Sequence, residues 1–163
     1  MSKNTDILLL IRGLVKLYDQ CMESIRQAHG LSQIEITIVS FLHNNPGVDT
    51  AGDIALIRML PKGNVSQGVD ALIRKGLLSR LTDREDRRRI HLKLTEAADD
   101  VIARIDEAKA AYQDMIFAGF SSEEVEAMAR FNGRLMKNVM DSLRRGGIPQ
   151  TPEMPGKEQT YEQ

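Results

Sequence analysis

The chain has 163 residues, a formal charge of −1 and a hydrophobic fraction of 42%, ordinary for a globular protein and enough for one domain with a real core. Its one cysteine, Cys21, excludes an internal disulfide framework and suits a reducing cytoplasm, and no apolar run approaches the ~18 residues of a membrane span. The opening MSKNTD does not resemble a signal peptide, and with no tryptophan and few aromatics a base-stacking platform is not expected.

The first element is a long helix, on which Ile7, Ile11, Leu14, Tyr18, Cys21 and Ile25 form a single stripe at alternating spacings of four and three. Gly30 stands where a C-terminal cap is expected. Ser32 and Glu35 then form a capping box, with Leu31 and Ile36 at staple spacing, and open a second helix from about Gln33 to Leu42. Asn44 to Gly47 is a turn. Thr50 with Asp53 caps a short third helix carrying Ile54, Ala55 and Ile57. Pro61 suits the start of a fourth, whose apolar face is Val65, Val69 and Leu72 and whose stop is Gly76. Leu77 to Leu81 and Ile90 to Leu94 read as two short strands, the second by its alternation of Ile90, Leu92 and Leu94 with His91 and Lys93. Thr95 and Glu96 begin a long helix to about Phe117. Ser121 to Glu124 is another capping box, opening a last helix with Val125, Met128, Leu135, Val139 and Leu143 on one face. The remainder, with three prolines and almost no apolar spacing, is expected to be a disordered tail.

This order of elements predicts a mainly α protein with a small β-hairpin wing, a winged helix-turn-helix between long terminal helices. The expected divisions are 1–30, an N-terminal dimerisation helix; 31–95, the reading lobe; 96–145, C-terminal dimerisation helices; and 146–163, the tail, with one structural domain overall. The apolar stripes of the long helices exceed what one small core absorbs, which predicts pairing with a second copy.

Near-neutrality hides an asymmetry. Residues 74–93 carry a charge of +5, leaving −6 for the rest of the chain. A basic patch on an acidic body lets a protein touch a polyanion in one place only. With Val65, Val69 and Leu72 inward, the 100° helical step turns Gly63, Gln67, Asp70 and Arg74 outward, with Asn64 and Ser66 on the flanks. Small polar side chains near a helix start suit base edges in a major groove, and free amides there suit a phosphate. Lys62 begins this helix, and Lys75 and Arg80 are expected to meet phosphates. Gly63 and Gly68 lower helix propensity; close approach to DNA or close helix packing could account for them. The stretch Leu81 to Thr95, LTDREDRRRIHLKLT, puts Arg84, Arg87, Arg88 and Arg89 at or beside the hairpin tip among Asp83, Glu85 and Asp86. Arginine fits the narrow, electronegative minor groove, and the acids between can fix one guanidinium while leaving another free.

From Leu31 to about Ala98 the sequence resembles the multiple-antibiotic-resistance-regulator (MarR) family of bacterial transcription factors. The matching residues are Val65-Ser66, Leu72-Ile73-Arg74-Lys75-Gly76-Leu77-Leu78, Arg80, the tip Asp83 to Arg88, and Leu94-Thr95. Ala98 departs from the family's glycine. The resemblance implies a homodimer on near-palindromic double-stranded DNA, built through the first and last two helices. It also implies that Asp86 orients Arg88 into the minor groove, and that a small aromatic or anionic effector releases a repressor. Tyr18, Met22 and His43 are the candidate effector-binding residues.

Other sites are weaker. Cys21 in an apolar stripe reads as packing, with a redox-sensing regulator as the alternative. His29, His43 and His91 have no metal-ligand spacing, and His91 on the polar face of its strand is expected to supplement phosphate contacts. No catalytic constellation, cofactor motif or metal site is expected. The rival functional class is a winged-helix protein–protein module, whose arginines would meet acids on a partner.

Overall fold

The computed structural model describes residues 3–83, 85, 86 and 88–145. The expected tail, 146–163, and the tip residues Arg84 and Arg87 lie outside the described residues. The described residues form six α-helices: α1 (Lys3–His29), α2 (Gln33–Asn44), α3 (Ala51–Ile57), α4 (Lys62–Arg74), α5 (Asp99–Ile116) and α6 (Ser122–Arg144). Strands β1 (Leu78–Thr82) and β2 (Ile90–Leu94) pair antiparallel after α4, with Leu78 opposite Leu94, Leu81 opposite His91 and Thr82 opposite Ile90. The winged helix-turn-helix expected from the order of elements is the fold observed.

Local chemistry sets most boundaries. All three capping boxes form: in each, a Ser32, Thr50 or Ser121 hydroxyl accepts from the third helical amide, and the Glu35, Asp53 or Glu124 carboxylate accepts from the cap amide. At the end of α4, Gly76 adopts φ +74°, its amide donates to Ile73 O and the Leu77 amide donates to Leu72 O. That is a Schellman closure, and only glycine takes the left-handed position without steric penalty. It also moves the first strand. Leu77 is still bound to the helix it leaves, so β1 begins at Leu78 rather than at the expected Leu77. Helix α2 runs two residues beyond the expected Leu42, because the Asn44 and Asn45 side-chain amides donate to the Ser40 and Phe41 carbonyls of its last turn.

Two expectations are corrected. Ile57 is 51% exposed, because the buried arc of α3 is Ala51, Ile54 and Ala55, and position 57 falls some 60° outside it. The helix expected from Thr95 starts with a 3₁₀ turn, Glu96–Ala98, before α5. The Thr95 hydroxyl is not a cap: it donates to Gly76 O at 2.6 Å, locking the exit of the wing onto the exit of α4.

Contacts divide the chain into two units, Met1–Ala118 and Gly119–Gln163. In the first, one continuous core takes Met22 and Ile25 from α1, Ile36, Ile38 and Phe41 from α2, Ile54 from α3, Val65, Val69 and Leu72 from α4, Leu78 and Leu92 from the strands, and Val101 and Ile105 from α5. The helix-turn-helix is therefore packed on the second half of α1 and the first half of α5. The early part of α1 leaves Ile7, Leu8, Ile11 and Val15 at least half exposed. The second unit is α6, on which no residue is buried; Phe131, Leu135, Met136, Val139 and Leu143 are exposed, so its apolar face is wider than the stripe expected from the sequence.

Candidate nucleic-acid interface

Lys62, Gly63, Asn64, Ser66, Gln67 and Arg74 are all exposed, while Val65, Gly68, Val69 and Leu72 are buried. The sequence-derived polar face of α4 is thus a single solvent-facing surface. Pro61 occupies the N-cap, where no side chain caps the first turn. The two glycines separate into different roles. A β-carbon at Gly68 would lie 2.7 Å from Ile38 Cδ1 and 3.3 Å from Ile34, so this glycine lets α4 pack closely on α2. Nothing lies within 4 Å of a β-carbon at Gly63, which leaves that backbone open to approach from outside. Beside this face, a groove of about 630 Å³ between α2 and α4 is lined by Ser32, Asn64, Gln67, Ala71 and Arg74 among others.

The bases around α4 are differently employed. Lys75 Nζ donates to Glu35 Oε1 at 2.7 Å and to Gly30 O at 2.6 Å, so it ties α4 to the start of α2 rather than standing free for a phosphate. Burial pushes the Glu35 carboxyl up, but hydrogen bonds from Lys75 and from the Ser32 amide and hydroxyl outweigh it and hold the carboxyl below its usual range. Arg80 on β1 pairs with Asp70 on α4, bracing the wing against the helix.

The acids of the tip organise backbone. Asp83 Oδ1 accepts from the Glu85 and Asp86 amides at 2.7 and 2.9 Å, and Asp86 Oδ1 accepts from the Arg88 amide at 3.0 Å. The Arg89 amide donates to Asp86 O and the Asp83 amide to Arg89 O, closing the turn. Among the described residues no ion pair joins these acids to Arg88 or Arg89, both of which are exposed. Asp86 touches Arg88 through its main chain, which differs from a side-chain clamp on the guanidinium. A cleft of about 430 Å³ lies between Arg88, Arg89 and Asp86 on the wing and Thr50 to Asp53 at the start of α3.

His91 is also differently placed than expected. Its Nδ1 lies 2.6 Å from Asp49 Oδ1 and its Nε2 3.0 Å from Asp83 Oδ2, so neither ring nitrogen is available to a phosphate. Asp49 was not singled out by the sequence, since 42 residues separate it from its partner and no local pattern marks it. Hydrogen bonds from the Asp86 amide, His91 and the Glu85 amide hold the Asp83 carboxyl down at about 2.

The remaining candidates lie in the α1, α2 and α5 layer. Met22 is fully buried in the core. Tyr18 is half-buried, with its ring edge-on to Tyr112 at 5.4 Å. His43 faces Asp106 at 3.1 Å, and His29 faces Asp100 at 3.5 Å. Cys21 is half-buried and lines a shallow cavity with Ile25, Arg104, Ala108 and Ala111. Among the described residues no cluster of three potential metal ligands occurs, and no helix is long and apolar enough to cross a membrane.

Residues 29–89, which contain the helix-turn-helix and the wing as far as the end of its tip but not β2, match the family model for the MarR family. This segment is similar to the winged helix of the MarR family. The MarR fold extends beyond it. A MarR-family transcriptional regulator from Silicibacter pomeroyi superposes with a TM-score of 0.71 over 80% of this chain and 87% of its own, at 22% identity. A MarR protein from Peptoclostridium difficile gives 0.75 over 86% and 91% at 19% identity. A MarR transcriptional regulator from Methanosarcina mazei gives 0.73 over 84% and 98% at 15% identity. At these identities the likeness is one of fold, and it includes the helices outside the matched segment.

Proposed function

We propose that this protein is a homodimeric, cytoplasmic transcriptional regulator that binds a near-palindromic operator as a repressor and is released by a small aromatic or anionic ligand. The observation that carries the reading is the exposed polar face of α4, Lys62 to Gln67 with Arg74, beside a wing that presents Arg88 and Arg89. In this reading Asn64, Ser66 and Gln67 meet base edges in the major groove, with Gly63 allowing close approach. Lys62, Arg74 and Arg80 meet phosphates, and Arg88 and Arg89, with Arg84 and Arg87, serve the minor groove. Asp86 positions Arg88 from behind. Two such lobes must stand about 34 Å apart to enter successive major grooves. The exposed apolar faces of α1 and α6 support a second copy as the body that sets this spacing. A ligand preferring a different spacing then lowers operator affinity by its differential affinity for the two forms. Tyr18 and His43 remain the candidate effector residues, while Met22 is enclosed in the core.

The test is selection of bound duplexes from random DNA, followed by affinity against salt. Enrichment of a two-fold symmetric site, with affinity falling steeply as salt rises, is expected; Gln67→Ala then changes the base preference at one or two positions per half-site. No enriched duplex, with salt-insensitive binding to an acidic protein instead, overturns the reading in favour of a protein–protein module.

A further inference from the structure

One polar side chain of the wing, His91, is flanked by two acids, and one of these belongs to the loop that starts α3. Asp49, in the loop before α3, holds β2 twice: its carbonyl accepts the Leu92 amide at 2.8 Å and its carboxylate faces His91 Nδ1 at 2.6 Å. On the other side of the ring, Asp83 faces Nε2 with Oδ2 while its Oδ1 accepts the Glu85 and Asp86 amides that shape the tip. A carboxylate only accepts. An imidazole with both nitrogens against carboxylates makes two hydrogen bonds only as the imidazolium, and the neutral ring must turn a lone pair toward one of the acids.

We propose that His91 is a positioning residue for DNA binding: as an imidazolium it clamps the wing tip, through Asp83, to the loop that starts α3, through Asp49. This rests on the DNA-binding reading given above. The arginines of the tip then hold their place relative to α4 while His91 is protonated, and the wing loosens as it is deprotonated. The charged groups around the ring are consistent with this. Asp49 and Asp83 face it; Lys93 stands two positions along β2 on the same side, and Arg89 precedes the strand; Asp53 of α3 is engaged by Thr50 in its own cap. Hydrogen bonds to Asp49 first and Asp83 second raise the His91 pKa above its ordinary 6.5. The contribution is therefore full below the ordinary histidine value and is lost as pH rises through the raised one.

The experiment uses the full-length protein and a duplex enriched by it from random DNA, at constant salt from pH 6 to 9. Wild-type affinity is expected to fall by about threefold to tenfold more over this range than that of His91→Gln, the scale of one hydrogen bond. In parallel, nitrogen NMR of the imidazoles in the free protein should show His91 titrating above 6.5, and at lower pH in Asp49→Asn. Amide protection at Asp83 and Leu92 should drop across the same midpoint. A His91 midpoint at or below 6.5, or a His91→Gln variant with the wild-type pH profile, overturns the proposal. If no duplex is enriched yet the NMR midpoint and the protection change appear as stated, the clamp stands and the DNA-binding reading falls.

Discussion

Lys75 Nζ sits 2.7 Å from Glu35 Oε1, joining the last turn of α4 to the first turn of α2 across 40 residues of sequence. Glu35 is buried, and its carboxylate is already used by the Ser32 amide of the capping box. Removing the lysine leaves a buried acid with its cap but without its counter-charge. Lys75→Met should therefore destabilise the protein by about 1–2 kcal/mol, less than for a fully buried pair because the lysine is partly exposed. The lowered Glu35 pKa sets the sign with pH. Its contribution is present above the unfolded value near 4.3 and is lost as pH falls through the lower folded value. Urea titrations at neutral and acidic pH should show wild type losing more stability on acidification than Lys75→Met; an equal loss would assign the effect elsewhere.

Gly68 and Gly63 should respond oppositely to the same change. Alanine gains up to about 1 kcal/mol of helix propensity over glycine at either position. At Gly68 the new methyl meets the buried Ile38 and Ile34, and overpacking of this kind typically costs about 1–3 kcal/mol. Gly68→Ala should thus come out destabilised in denaturant melts, and Gly63→Ala neutral or slightly stabilised. If Gly63→Ala nonetheless weakens operator binding, the open backbone there is an approach surface. A Gly68→Ala protein as stable as wild type would remove the packing explanation.

Arg88→Ala should weaken operator binding by roughly 1–3 kcal/mol, as expected for a specific arginine contact. Asp86→Ala should weaken it less. That carboxylate holds the Arg88 amide at 3.0 Å, and Asp83 still shapes the other half of the turn. Thermal stability should barely move in either variant, since both side chains are exposed. Wild-type affinity for Arg88→Ala at physiological salt would take the wing out of the interface.

Much of this architecture is legible in the sequence because the chemistry is local. Ser32 and Glu35 are three residues apart, Gly76 follows the helix it ends, and Val65, Val69 and Leu72 share a face by their spacing alone. Illegible features depend on residues brought together by the fold. His91 and Lys75 read as free polar groups near a basic patch, and each is instead spent on an acid from another element, Asp49 and Glu35. The interleaved acids of the tip read as clamps on a guanidinium, whereas Asp83 and Asp86 accept main-chain amides of the turn. Whether Gly68 or Gly63 answers to packing could only be decided by what stands opposite each.

Dimerisation is expected to reside in the terminal helices, and operator binding to require it. Ile7, Ile11 and Val15 on α1 and, separately, Phe131, Leu135, Met136, Val139 and Leu143 on α6 are each about half exposed or more, apolar faces that a second copy would cover. At roughly 25 cal/mol per Å² of apolar area, a large interface of this composition leaves the monomer a minor species at micromolar concentration. Excising residues 31–98 is a poor test, because Met22, Ile25, Val101 and Ile105 belong to the same core as the recognition helix. Point changes on exposed positions avoid that difficulty. Leu135→Glu with Val139→Glu should leave helical content and the core intact, yet shift sedimentation toward the monomer. Operator affinity should then fall by at least about tenfold, since two lobes no longer share one effective concentration. Removing 146–163 should alter neither property. A doubly substituted protein that sediments as a monomer and still binds its operator with wild-type affinity would contradict a dimer as the reading unit.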